Sequence, residues 1–333
     1  MQIMIFVIIL IAVVSVGVLF FRQRSFAKPV PAPIPAYRDA APSLTRARTR
    51  ELVVDPSGKG AHRSITSAID AALPGDRVLV RPGNYLESVD ISKPIEVLGN
   101  GPRERIIIRC EDDGVEGSVL ILRSSGVRVS GLTLIQEGSL DVCVDLSAGQ
   151  PVIENCDITS VAHRPGVAVC GDGDPIIRKN AIHGCRGYGV AFLQGAKGTL
   201  EGNDIYGNGA PGVCIRDNSD PRVVGNRIHG NGPGIPEYSQ GIYVGSEGRG
   251  TLEDNEIFDH AGAGVIVDSE TGDRPGGTPR LFRNRIHHNG LTAIEVIAGG
   301  GVFEGNDLRG NRLGAWEIAP DCESRIARFS NKE

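Results

Sequence analysis

The stretch EGNDIYGN, residues 201–208, returns in altered form through the second half of the chain. Its relatives are VGNRIHGN from Val224, EDNEIFDH from Glu253, RNRIHHN from Arg283 and EGNDLRGN from Glu304. Alignment on the shared asparagine gives Asn180, Asn203, Asn226, Asn255, Asn284 and Asn306, at spacings of 23, 23, 29, 29 and 22 residues. A unit this short cannot bury an apolar face alone, so the repeat predicts coils stacked on one another.

A second motif recurs in the same coils with the alternation expected of a strand. Its copies GVAV, GVAF, GVCI, GIYV, GVIV, AIEV and AWEI begin at Gly166, Gly189, Gly212, Gly241, Gly264, Ala293 and Ala315. Their second and fourth residues are apolar, which predicts one buried face. Equal positions of parallel strands lie about 4.8 Å apart, so each asparagine of the first motif is expected to bond to the next in a ladder. The pattern predicts an all-β, single-stranded parallel β-helix.

These coils resemble the right-handed parallel β-helix of the pectin-lyase-like superfamily. The repeats of residues 151–311 are similar to those of β-helix F-box proteins and periplasmic copper-accessory proteins, and VRPGNYLESVDISKPIEVLGNG from Val80 resembles the first coils of pectin methylesterases. The sequence lacks an F-box, the QDT and DFIFG-like runs of methylesterases and the DPHD run of mannuronan epimerases. The resemblance therefore implies a fold and leaves the activity open, since many chemistries share this scaffold.

The first 50 residues have a different composition. Residues 3–21 are an uncharged apolar run, close to the ~20 helical residues that a bilayer requires. Basic residues follow the run and none precedes it, which favours an uncleaved anchor over a signal peptide and a cytoplasmic body over a periplasmic or extracellular one. We predict a transmembrane anchor at 1–24, a Pro-rich linker at 25–50, a β-helix at 51–320 with a capping helix after Ser64, and a C-terminal tail at 321–333.

Charge and cysteine content limit the classes of partner. A formal net charge of -5 gives no reason to expect nucleic acid. The seven cysteines have no CxxC spacing, and we interpret them as buried or half-buried thiols in a reducing compartment.

The outward residues of the second motif are the first candidate site. They are predicted to form the column Cys143, Ala168, Ala191, Cys214, Tyr243, Ile266, Glu295 and Glu317. Glu295 and Glu317 are one coil apart, about 5 Å, which suits a carboxylate pair in acid–base catalysis or, with Tyr243, ligand binding. Asp268 and Asp217 are additional catalytic candidates. The alternative is two solvated glutamates that point apart.

A second candidate lies one residue after the apolar position that follows the ladder asparagine. It comprises His183, Tyr206, His229, Phe258, His287 and Arg309. His229 and His287 would belong to an aromatic strip that stacks sugar rings; the alternative is that the rings stack on one another. The histidines are two coils apart, about 10 Å, which is too far for a shared metal.

Acidic turns are the third candidate, because Ca²⁺ prefers carboxylate and carbonyl oxygens. The residues are Asp172, Asp174, Asp217, Asp220, Asp268, Glu270 and Asp273. Aspartate is also common in turns for local reasons, and no other metal or cofactor is predicted.

Together these features predict a membrane-anchored scaffold that binds a polysaccharide or a partner protein without catalysis. The alternative is a polysaccharide lyase, glycoside hydrolase or epimerase that uses the carboxylates named above. An enzyme is expected to bring several of them together with a lysine or arginine, whereas a scaffold is expected to disperse them.

Overall fold

The protein is described by a computed structural model that covers residues 49–111, 117–139, 141–232, 239–269 and 274–333. The predicted anchor at 1–24 and the linker residues 25–48 lie outside this part of the chain, as do Glu270 and Asp273. Within it, no helix is both long enough and apolar enough to cross a bilayer.

The described strands form three parallel sheets, named here A, B and C. Sheet A contains, from the first coil to the last, Glu51–Val54, Arg77–Val80, Glu96–Gly99, Arg128–Ser130, Val152–Glu154, Ile176–Arg178, Thr199–Glu201, Arg222–Val224, Thr251–Glu253, Arg280–Phe282, Gly301–Glu304 and Ile326–Phe329. Sheet B contains Gly83–Leu86, Ile106–Cys110, Thr133–Gln136, Asp157–Ser160, Ala181–His183, Asp204–Tyr206, Arg227–His229, Glu256–Phe258 and Arg285–His287. Sheet C contains Val89–Ile91, Leu120–Leu122, Val144–Gly149, Val167–Gly173, Val190–Leu193, Val213–Ile215, Ile242–Val244, Val265–Val267, Ile294–Val296 and Trp316–Ile318.

The chain visits the three sheets in turn, so each circuit adds one strand to each sheet. Partners in a sheet are the equal positions of successive repeats, such as Leu200 on Val223 and Ile205 on Ile228. The inward residues at these positions are fully buried and form continuous apolar columns. The predicted all-β parallel β-helix is confirmed.

The asparagines of the first motif form a ladder at the corner between sheets A and B. It runs through Asn180, Asn203, Asn226, Asn255, Asn284 and Asn306. Each side-chain oxygen accepts from the asparagine one coil earlier: Asn203 donates to Asn226 Oδ1 from its backbone N–H at 2.9 Å and from its side-chain amide at 3.0 Å. The ladder begins at the backbone N–H of Cys156 and ends at Asn331.

The residue before each ladder asparagine adopts a left-handed backbone conformation that turns the chain from sheet A to sheet B. This residue is a glycine in three coils, with φ from 59° to 66° at Gly202, Gly225 and Gly305. In other coils it is a polar residue, such as Lys179 or Asp254, at φ 55° and 53°. The left-handed region favours glycine and tolerates aspartate and asparagine, which explains the glycine-rich repeats.

A second ladder occupies the corner between sheets B and C and was not predicted. It comprises Asn208, Asn231, His260, Asn289 and Asn311. The histidine takes the place of an asparagine and is only 2% exposed. The two ladders satisfy the corner backbone, which has no strand partners of its own.

The two ends of the coil stack are closed differently. At the first end, helix Ile65–Ala71 buries Ile65, Ala68 and Ile69, and Ser64 Oγ accepts a hydrogen bond from Ser67 N at 3.2 Å. Glu87 adds two acceptors for the free N–H groups of Ile65 and Thr66, at 2.7 and 2.9 Å. The predicted capping helix is confirmed.

The boundary predicted at the other end, at residue 320, is wrong. Residues 321–333 belong to the coil stack: the 3₁₀ helix Pro320–Arg325 buries Cys322, and Ile326–Phe329 pairs with Gly301–Glu304. The guanidinium of Arg328 lies over the Trp316 ring, 5.5 Å from its centre, and this contact joins the final strand to the last strand of sheet C. This segment carries no copy of the repeat, so its strand could not be recognised by alignment.

All seven cysteines lie in the described residues as free thiols, with Cys170 half-buried and the others buried. Burial raises the pKa of Cys110 to about 11 and that of Cys156 and Cys185 to about 12. These thiols are therefore protonated at neutral pH and act as small core residues. The reducing compartment stays a prediction.

Candidate functional site

The outward column of sheet C has the predicted register in all but its first member. Asp145, and not Cys143, lies beside Ala168, and the column continues through Ala191, Cys214, Tyr243, Ile266, Glu295 and Glu317. Cys143 was assigned two positions too early, since it stands just before the strand Val144–Gly149. Within this column Ala168, Ala191, Cys214 and Ile266 are buried.

Glu295 and Glu317 are adjacent at the later end of this column, and Asp268 follows the strand Val265–Val267 of the preceding coil. Glu295 is half-buried, and burial raises its pKa, with further contributions from the negative charges of Glu317 and Asp268. Among the described residues, none of the three carboxylates is in a salt bridge with a lysine or arginine. The group therefore retains negative charge that nothing nearby in the described chain neutralises.

Tyr243 lies two coils before Glu295 in the same column. Its ring extends over Gly245, where a Cβ atom would lie 2.5 Å from Tyr243 Cε1 and 2.7 Å from the hydroxyl oxygen. Glycine at 245 is thus required for the ring to lie flat along the strand end. We name Tyr243, Asp268, Glu295 and Glu317 the acidic patch.

Asp217 does not join the acidic patch. It forms an ion pair with Arg274 at 2.7 Å, and Arg274 also lies 3.4 Å from Glu247. Asn218, the next residue, donates to Glu247 at 2.7 Å. Asp217 is therefore part of a charged network at a turn, and the structure assigns it no place beside Glu295.

The predicted aromatic strip forms a continuous stack on sheet B. Adjacent ring centres of His183, Tyr206, His229, Phe258 and His287 lie 4.8–5.3 Å apart with interplanar angles of 5–14°. Because inner rings are covered on both faces by their neighbours, their edges, and not their faces, are directed to solvent. Face-to-face stacking on a sugar is thus closed to the inner rings, including His229.

Carboxylates fix the histidines of this stack. His183, His229 and His287 approach Asp157, Asp204 and Glu256 of the preceding coils at 3.0, 3.0 and 3.3 Å. The hydrogen bond from His183 is the largest of the effects that lower the pKa of Asp157. Arg309 departs from the stack and pairs with Asp307 at 2.7 Å. The residues on this face are engaged with one another.

Within the described chain, no three His, Cys, Asp or Glu side chains lie close enough to hold a metal ion. Asp174 instead accepts from Gln150 Nε2 at 2.7 Å, and Asp268 Oδ1 accepts from the backbone N–H of Ser269 at 2.7 Å. The Asp268 contact is a local turn contact, as in the alternative interpretation, whereas the Asp174 contact joins two successive coils.

Comparison with known proteins agrees with the fold. Residues 117–274 match the family described as "Right handed beta helix region". A solved alginate lyase from Paenibacillus sp. superposes with a TM-score of 0.62 at 14% identity over 84% of this chain and 99% of that one. Pectate lyase Pel9A also gives a TM-score of 0.62 at 14% identity, over 85% of this chain and 80% of that one. At this identity, the likeness concerns the fold alone.

The curated relatives found by sequence are described differently from these polysaccharide-acting structures. A segment of 147 residues, 44% of this chain, is 28% identical to SHC SH2 domain-binding protein 1 of Mus musculus. The same protein of Homo sapiens is 27% identical over 147 residues. The chain spans about a fifth of the length of these relatives. The family match over residues 117–274, the parallel coils and the solved neighbours agree on one conclusion: the fold of the described chain is a right-handed parallel β-helix.

Proposed function

We propose that the chain is a non-catalytic scaffold that binds a basic segment of a partner protein through the acidic patch. The observation that carries this proposal is Glu295, which is half-buried beside Glu317 and Asp268 without a described cation. Confining like charges at a half-buried position is unfavourable, and a lysine or arginine from a partner would relieve it. An acidic polysaccharide would be repelled from the same surface.

The comparisons support a protein ligand over a glycan. The relatives found by sequence are named for binding an SH2 domain, whereas the polysaccharide-acting proteins share only the fold. The dispersed position of Asp217, held by Arg274, also fits a scaffold better than a catalytic group.

A second candidate function is an enzyme acting on a neutral polysaccharide. The observation that favours it is the raised pKa of Glu295 beside another carboxylate, which is the arrangement of a general acid and its partner. Residues 1–24 would anchor either kind of protein to a membrane. The test is carbonate extraction of membranes: the full chain is expected to resist extraction, and residues 25–333 are expected to be released.

Glu295→Gln is expected to weaken binding of an Arg- and Lys-rich peptide about three- to tenfold, because it removes one charge and keeps the side-chain shape. Fluorescence anisotropy of a labelled peptide with residues 51–333 measures this. Glu304→Gln is the matched control, since Glu304 is exposed on sheet A, and it should leave the affinity unchanged. Equal affinities for all three proteins would contradict the proposal, and hydrolysis of a neutral glycan that Glu295→Gln abolishes would establish the enzyme instead.

A further inference from the structure

A groove of about 640 Å³ runs along the corner between the ends of sheet C strands and the beginnings of sheet A strands. Arg249, Arg280 and Arg325 are among the residues that line it. Hydroxyl groups accompany them, from Thr251, Thr278 and Ser324. Six of its lining residues therefore have side chains that can donate hydrogen bonds.

The backbones of successive coils approach closely beside the groove, at Gly300 and at its lining residue Gly301. A Cβ atom at Gly300 would lie 2.3 Å from the carbonyl oxygen of Arg325, and one at Gly301 would lie 2.6 Å from that of Pro279. Gly301 also has φ 145°, which L residues rarely adopt. A larger residue at either position would require a shift of the backbone, so the coils are closely packed beside the groove.

Two of the three arginines of this groove lack the carboxylate partner that most arginines of the described surface have. Neither Arg249 nor Arg280 forms a salt bridge within the described chain, and Arg249 donates only to the amide oxygen of Asn218, at 3.2 Å. Arg325 lies 3.6 Å from Asp321, whose side chain is 80% exposed, and donates to Cys322 Sγ at 3.3 Å. Asp220 is the one acidic residue in the lining, against three arginines. The groove is therefore a cationic surface on a chain of net negative charge.

The strand register places the backbones of the three arginines on different levels of the coil stack. Thr251 pairs with Arg280, which pairs with Val302, which pairs with Ala327. Arg249 is consequently one coil before Arg280, and Arg325 is two coils beyond it. At about 4.8 Å per coil, the arginines span about 14 Å, the length of about four extended residues.

We propose that this arginine groove binds an extended acidic segment of a partner protein, with its carboxylates on the three guanidinium groups. Guanidinium groups bind carboxylates through paired hydrogen bonds, and the hydroxyl groups can meet the peptide backbone. No aromatic side chain lines the groove, so it offers no platform for a sugar ring or a nucleic-acid base. The site shares no residue with the acidic patch, and the proposal goes beyond the function proposed above.

The test is anisotropy of a fluorescein-labelled ten-residue polyglutamate peptide with residues 51–333 at low ionic strength. Arg249→Gln/Arg280→Gln is expected to raise the dissociation constant at least tenfold, because two charge-assisted contacts are lost. Arg105→Gln is the matched control, an exposed arginine without a described salt bridge near the first coils, and should bind as the parent does.

Two results would overturn this proposal. One is a double variant that binds polyglutamate as tightly as the parent. The other is a parent that binds polygalacturonate or inorganic phosphate, but not polyglutamate, with an affinity that the double variant loses. Neither outcome depends on the acidic patch, since Glu295→Gln is expected to leave polyglutamate binding intact.

Discussion

Asn226→Ala is expected to lower the free energy of unfolding by about 3–5 kcal/mol, although it removes only a small polar side chain. Asn226 Oδ1 accepts two hydrogen bonds from Asn203, and Asn226 Nδ2 donates to Leu200 O at 2.8 Å and to Asn255 Oδ1 at 2.9 Å. Asn226 is 1% exposed, so water cannot replace these partners. The substitution would leave several buried polar groups unpaired, each costing about 1–3 kcal/mol.

Urea unfolding followed by circular dichroism measures this loss. Asn331→Ala is the matched control, because Asn331 is the last member of the ladder and is only partly buried. It removes the acceptor of Asn306 where solvent can take its place, and a loss of about 1 kcal/mol is expected. If both variants lost the same small amount, the internal asparagines would not be the supports of the corner.

Between pH 6.5 and pH 4, His260 is expected to lower the free energy of unfolding of the parent by about 3 kcal/mol, and His260→Asn is expected to abolish this loss. In the second ladder, the partners assign the proton to His260 Nδ1, which faces Asn289 Oδ1 at 3.0 Å, while Nε2 accepts from Asn231 Nδ2 at 3.2 Å. Burial lowers the pKa of His260 to about 4, and the nearby His229 adds to the effect. A second proton, on Nε2, would face the side-chain N–H of Asn231, so the charged ring would lose this hydrogen bond.

The direction of the pH effect follows from proton binding in the two states. An unfolded histidine titrates near pH 6.5, so between that value and about pH 4 the unfolded chain binds a proton that folded His260 does not. The stability that depends on neutral His260 is therefore fully present above pH 6.5, and it is lost as the pH decreases towards 4. Asparagine continues the ladder of Asn231 and Asn289 without a titrating group.

Urea unfolding of the parent and of His260→Asn at pH 7 and pH 4.5 separates this residue from all other titrating groups. The parent is expected to lose more stability than the variant on acidification, and His62→Asn, an exchange at a half-buried surface histidine, should behave as the parent. Equal losses in parent and His260→Asn would show that the ring is not held neutral by the ladder.

Much of the fold was predictable because the repeat places identical residues on one another. The first ladder and the apolar columns on either side of it recur in nearly every coil, so alignment alone fixes their register. The second ladder was missed because Cys185 and His260 interrupt the asparagines at its corner. The strand Ile326–Phe329 was missed because it belongs to no copy of the motif.

The candidate sites were predictable only in part, since the repeat determines where residues stand and not what they contact. The alignment placed Glu295 beside Glu317, but their proximity to Asp268 and the exclusion of Asp217 depend on turns of unequal length. Arg249, Arg280 and Arg325 share no motif, and only the corner backbone brings them to one groove. Ring stacking on sheet B depends on side-chain torsions that spacing does not reveal.

The most direct test is a pair of spin-label distances along sheet A, from Glu51→Cys to Arg222→Cys and to Arg280→Cys. These positions share one outward column, seven and nine coil steps apart. Stacked coils predict about 34 Å and 43 Å between backbones, a growth of about 4.8 Å per coil whatever the length of the intervening loops. Two similar distances, or a longer one to Arg222 than to Arg280, would contradict the stacking of coils on which the sites and ladders depend.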